Sequence, residues 1–217
     1  MQYPRPRADA RRSPSSTFAR WLAAAAVVGF AGVFASSAAV ANDAAISYEG
    51  LSISTTAKVA GHDLQLNGVG YRGWKIYKAY VAALYLPRKT TSAADALGQP
   101  GAKRVQLQLL VSGSSGYFAD ALTGGIQKRV PAEQFAAMKD RVDAFDKIIR
   151  NAGDLKKGDV INLDFVPDTG LVVLLNGKPS GSPIRGADIY TAMLKIWLGD
   201  DARDKELRAA MLGGTPG

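Results

Sequence analysis

"LNGVGYRGWKIYKAYVAALYLP", Leu66 to Pro87, is the stretch on which the fold turns. It sets Arg72, Lys75 and Lys78 among five aromatic rings and a row of small apolar residues. Its periodicity admits two readings. Trp74, Tyr77, Tyr80, Val81, Leu84 and Tyr85 make a helical stripe, and Ala79, Ala82 and Ala83 favour a helix. The Tyr, Trp, Ile and Val content favours a strand. Composition tips the balance towards a strand without closing the question.

The flanking sequence is easier to read. Leu51 to Val59 alternates β-branched and polar residues, and Asp63 to Val69 alternates through Leu64 and Leu66. Arg104 to Val111 puts Val105, Leu107, Leu109 and Val111 on one face. Val160 to Val166 alternates again, with Asp164 between apolar neighbours and read as facing solvent. Pro167-Asp168-Thr169-Gly170 is a turn: proline presets φ and glycine accepts a positive one. Leu171 to Leu175 returns as a strand, and Asn176-Gly177 is the strongest short hairpin signal in the chain.

Helical stretches are equally visible. Ala132 to Asn151 carries Phe135, Met138, Val142, Phe145 and Ile149 as one stripe, with Pro131 before it and Gly153 after it. Ser115 to Gln127 reads as a poorer helix, interrupted by Gly124-Gly125 at roughly 1 kcal/mol per glycine. Ala187 to Leu198 shows Ile189, Met193, Ile196 and Trp197, and Asp201 to Leu212 makes a short last helix. Strands come first and last, with helices between and after. This is an α+β order, not alternating βαβ.

The N-terminal segment has the layout of a secretory signal. Five arginines precede an apolar run from Trp21 to about Phe34, and Ala39-Val40-Ala41 ends it with small residues. The expected organisation is a signal peptide over 1–41, cleaved after Ala41, and one domain over 42–217. The mature chain is then exported, periplasmic and not membrane-spanning. The chain's net charge of +8 falls to +4 without the leader, with 22 basic against 18 acidic residues remaining. That residue is too weak and scattered to argue for nucleic acid. Zero cysteines and one histidine exclude zinc spacings, and no metal or other cofactor is implied.

Gly68-Val69-Gly70-Tyr71-Arg72-Gly73 followed by Tyr80-Val81-Ala82-Ala83-Leu84-Tyr85-Leu86 resembles the signature of the chalcone isomerase family. It is more narrowly similar to the exported bacterial chalcone-isomerase-like proteins. Gly158-Asp159-Val160-Ile161, Leu175-Asn176-Gly177-Lys178-Pro179 and "AMLKIWLG" from Ala192 to Gly199 carry the same resemblance. It covers Leu51 to Gly213 in the same order. The resemblance implies an open-faced β-sandwich, an antiparallel sheet with helices layered on one face, and makes the opening stretch β.

The resemblance also implies site residues. Arg72 matches the family's pocket arginine. Tyr80 stands where the plant isomerases have a pocket threonine. The catalytic tyrosine of those enzymes falls in the segment around Ser112 to Tyr117, which makes Tyr117 a candidate. Tyr190 and Thr191 lie near the remaining polar positions of that pocket. In the non-catalytic fatty-acid-binding relatives an arginine and a tyrosine hold the lipid carboxylate, and a guanidinium fork suits that head group. The implied function is a binder of a fatty acid or similar small amphipathic carboxylate. The alternative is an intramolecular lyase or isomerase acting on a chalcone-like enone, with Arg72, Tyr117 and Tyr80 orienting it. A third is a protein–protein module whose pocket has closed. Arg72 and Tyr80 are eight residues apart. On one straight strand they would sit about 26 Å apart at roughly 3.3 Å per residue, so a shared ligand requires a turn near Gly73 to Lys75.

Overall fold

The computed structural model of the chain describes residues 44–74 and 77–214. The expected leader and its cleavage point lie outside the described residues.

The opening stretch forms two antiparallel strands, β4 (His62–Trp74) and β5 (Tyr77–Leu86). It never settled into one periodicity because β5 is buried on both faces. Ala82, Leu84 and Leu86 belong to the large core, whereas Val81, Ala83 and Tyr85 belong to a second cluster on the other side. A strand covered twice reads as a continuous apolar run rather than an alternation.

Around this hairpin the chain lays down β1 (Ala45–Tyr48), β2 (Leu51–Ser54), β3 (Thr56–Val59), β6 (Lys103–Leu109), β7 (Gly113–Ser114), β8 (Asp154–Leu155), β9 (Val160–Val166), β10 (Gly170–Leu175) and β11 (Lys178–Pro179). The principal sheet is antiparallel throughout, in the order β11-β10-β9-β6-β5-β4-β3. The stretch expected as one strand from Leu51 to Val59 breaks at Thr55. There the side chain and amide of Thr55 both bond to the Ala44 carbonyl, at 2.7 Å each. The first half pairs with β1, and the second joins the large sheet. Asn176 and Gly177 carry the β10–β11 turn with both φ values positive, +50° and +78°, as the dipeptide signals.

The helices are α1 (Ala93–Gly98), α2 (Ser115–Gln127), α3 (Ala132–Arg150), α4 (Ala187–Leu198) and α5 (Lys205–Met211). They bury their apolar stripes against one face of the sheet: Met138, Val142, Phe145 and Ile149 from α3, and Ile189, Met193 and Trp197 from α4. The α+β layering expected of the sequence is the architecture observed. Gly124-Gly125 does not interrupt α2. Ile196 of α4 seats where a Gly125 side chain would be, 3.1 Å from its Cβ position, so that glycine permits a close helix–helix contact. Gly68 does the same for α5: a Cβ there would fall 2.0 Å from the Ala210 carbonyl oxygen. The last helix starts later than expected, at Lys205, because Asp204 caps it by accepting from the Leu207 amide at 2.9 Å. Helix α1 carries too few turns to show a stripe and was not anticipated. Among the described residues no helix is long and apolar enough to cross a membrane.

The face away from the helices has its own small core. Ile53, Leu64, Val81 and Tyr85 are among its most buried members, and the Tyr85 hydroxyl donates to the Ser54 carbonyl at 3.0 Å, tying the β1–β2 hairpin to the sheet. Asp164 does not face solvent. It is 4% exposed and accepts two hydrogen bonds of 2.6 Å from the Arg104 guanidinium. Burial pushes its carboxyl up from the ordinary value and Arg104 pulls it back.

Candidate functional site

Arg72 and Tyr80 are direct cross-strand partners in the β4–β5 ladder. Such partners hold their Cβ atoms about 4.5–5.5 Å apart on one face of the sheet. The face is the helical one. Gly68 and Gly70, four and two residues before Arg72, lie under Ala210 and Leu207 of α5. The ladder shifts register between Leu66 and Gly68 and again between Arg72 and Gly73, and the pair lies in the regular run between the two shifts. The antiparallel pairing therefore places the two residues side by side, as a shared ligand requires.

Two helices complete the surroundings of Tyr80. Its hydroxyl oxygen accepts a 3.1 Å hydrogen bond from the indole Nε1 of Trp197 on α4. Its ring meets Phe118 of α2 edge-on, centroids 6.3 Å apart at 86°. Burial raises the Tyr80 phenol above its ordinary value; the Trp197 bond and the Arg72 charge lower it, and the Asp204 carboxylate raises it again. Desolvation is the largest of these, so the phenol keeps its proton at neutral pH. With its oxygen already accepting from Trp197, the hydroxyl has a proton to donate. No acceptor for it is found among the described residues. Arg72, half-buried beside it, likewise has no hydrogen-bonding or ion-pairing partner among the described residues. A guanidinium and a phenol thus offer donors from one patch of sheet, under an apolar roof of Phe118, Trp197 and Leu207. That arrangement can hold an oxyanion.

The remaining sequence candidates are elsewhere. Tyr117 is 80% exposed on the first turn of α2. Successive helical residues point in different directions, and it is Phe118, one position on, that turns inward. The ring reaching the site carries no hydroxyl. Tyr190 is buried, donates to the Leu163 carbonyl at 3.3 Å and is pushed well above its ordinary value, chiefly by burial. The Thr191 hydroxyl donates back to the Ala187 carbonyl one helical turn earlier. The structure brings Arg72 and Tyr80 together and does not bring Tyr117 to them. Trp197 and Phe118 were missed. Trp197 was read as part of a core stripe, but an indole N–H that is buried needs an acceptor, and that requirement was the available signal.

A family model described as chalcone isomerase-like matches residues 45–213. The chain belongs to the chalcone isomerase-like family. Among solved structures it is similar to a fatty-acid binding protein of Arabidopsis thaliana, with a TM-score of 0.60 and 15% sequence identity. The alignment covers 78% of this chain and 96% of that one. At that identity the likeness speaks for the fold. A search of curated protein sequences finds no match.

Proposed function

We propose that this chalcone isomerase-like chain binds a fatty acid or similar small amphipathic carboxylate without turning it over. The observation that carries the reading is the half-buried Arg72, whose guanidinium has no counter-ion among the described residues, side by side with a phenol that has a proton to donate. A carboxylate takes the fork of Arg72 and the hydroxyl of Tyr80. The tail runs beneath the aromatic and aliphatic residues of α2, α4 and α5, gaining about 0.8 kcal/mol for each methylene removed from water. The fold shared with a fatty-acid binding protein supports the reading. The exposed position of Tyr117 leaves the lyase alternative without its third polar group.

Native mass spectrometry of the protein purified without detergent is expected to show a stoichiometric acyl carboxylate that is released on denaturation. Arg72→Ala is expected to lose it while keeping the far-UV circular dichroism of the parent. Undiminished affinity in that variant removes the carboxylate model. Saturable acceleration of chalcone ring closure above the spontaneous rate replaces the binder with the lyase. The protein is also proposed to act after export, with Met1 to Ala41 removed; N-terminal sequencing of exported material should begin at Asn42, and recovery of the intact terminus would contradict this.

A further inference from the structure

A groove opens on the helical face away from Arg72 and Tyr80. It lies between α1, α4 and the ends of β6 and β9 and encloses about 500 Å³. That falls within the range of ligand-binding clefts. Leu97, Phe165 and Tyr190 supply apolar lining, and Lys103 and Lys195 supply the charges. Lys103 is the first residue of β6, whereas Leu109 at the other end of that strand is the partner of Tyr80. Six residues of strand separate the two places by about 20 Å, so the groove is not the Arg72 site.

Lys103 is the unusual member. It is 5% exposed, and its ammonium donates to the Leu97 carbonyl at 2.8 Å. An ammonium has three protons to donate. Among the described residues this is its one hydrogen bond, and no carboxylate lies within ion-pairing distance. The nearest acid that acts on it, Asp95, is ion-paired to Arg88 at 3.6 Å. Burial pushes Lys103 down from its ordinary value. Lys195 across the groove has no ion pair among the described residues either. A buried cation is normally paired or hydrogen-bonded to completion. Here the lysine lines a cleft whose other walls are mostly apolar.

We propose that this groove is a second ligand site, for a short amphipathic carboxylate such as a medium-chain or single-ring acid, with its head on Lys103 and Lys195 and its tail against Leu97, Phe165 and Tyr190. The carboxylate supplies the counter-charge that the protein does not.

The experiment uses the Arg72→Ala chain, so that the first site is disabled, and titrates decanoate while recording amide shifts in ¹H–¹⁵N spectra. Saturable shifts at Leu97, Gly98, Thr191 and Lys195 are expected. Adding Lys103→Met, which preserves length and suits a buried position, is expected to weaken the binding at least tenfold. Decanol, with the same tail and no charge, is expected to leave these amides unmoved. Absence of saturable shifts in the groove overturns the proposal, as does decanol binding as well as decanoate. If Lys103→Met fails to fold, Lys195→Met replaces it: weakened decanoate binding supports the site and unchanged binding overturns it. Binding at Arg72 is read separately, by comparing the intact chain with Arg72→Ala at amides of β4 and β5, so failure of one site is distinguishable from failure of the other.

Discussion

Arg72 and Arg104 stand on β4 and β6 with only β5 between them, yet they lead opposite lives. Arg104 faces the small core, where both arms of its fork close on Asp164 at 2.6 Å. Arg72 faces the helices beside a phenol, and among the described residues no carboxylate meets it. The contrast teaches what an arginine in a sheet is for. One whose fork closes on a protein carboxylate cross-links strands, here β6 to β9. One whose fork is left open beside a half-covered apolar layer is available to something from outside. Burial alone does not distinguish them; the presence or absence of a partner does.

The largest expected effect tests the structural side of this contrast. Asp164→Ala leaves the Arg104 charge uncompensated in a buried place and should cost about 3–5 kcal/mol of stability, measured by urea denaturation. Replacing both partners, Arg104→Met with Asp164→Leu, should recover most of that loss, because the cost comes from the orphaned charge. A double variant no more stable than the single one would break the comparison. Arg72→Ala should behave in the opposite way. Its unfolding midpoint should stay within about 0.5 kcal/mol of the parent, as expected where no partner is lost. Its carboxylate affinity should fall by about 1.5–3 kcal/mol, the scale of a hydrogen bond to a charged group. Equal losses of stability in the two arginine sites would erase the distinction.

Tyr80→Phe sharpens it further. The change removes one donor to the ligand and the acceptor of Trp197, so affinity should weaken by about 1 kcal/mol. The smallest effect belongs to a third arginine. Arg141 holds Asp188 with bonds of 2.6 and 2.7 Å, but both side chains are substantially exposed, at 31% and 45%. Asp188→Asn should therefore cost no more than about 1 kcal/mol at neutral pH. The hydrogen bond from Arg141 is the main reason the Asp188 carboxyl sits below its ordinary 3.8. Its contribution is present above that ordinary value and is lost as pH falls through the depressed folded one. Unfolding midpoints of parent and variant should converge in acid, and a gap that persists there would show that the pairing is not its cause.

Much of the fold was legible because local patterning and tertiary burial agreed. The stripe of Met138, Val142, Phe145 and Ile149 marks a helix with one buried side, and Asn176-Gly177 marks a turn that needs two positive φ values. The resemblance put Arg72 and Tyr80 at one site, and their spacing then required a turn between them, since a straight strand could not bring them together. Other features were illegible for identifiable reasons. Asp164 sits in an alternation that looks the same whether its outward face meets water or a second core. Tyr117 and Phe118 are adjacent aromatics, and one helical residue of register decides which ring enters. The groove at Lys103 depends on α1, a helix of six residues with no periodicity to read.

By itself the sequence determined the α+β order and the β10–β11 turn, because these depend on residue type, spacing and turn chemistry, whereas the strand reading of the opening stretch and the choice of Arg72 came from the family resemblance. Tertiary structure alone decided which charges acquire partners. An ion pair such as Arg104 with Asp164 joins residues sixty positions apart, and the open fork of Arg72 is defined by what folding does not bring near it. Long-range proximity leaves no periodic trace in the chain, so the difference between an arginine that ties strands together and one whose fork stays open appears only when the strands lie side by side.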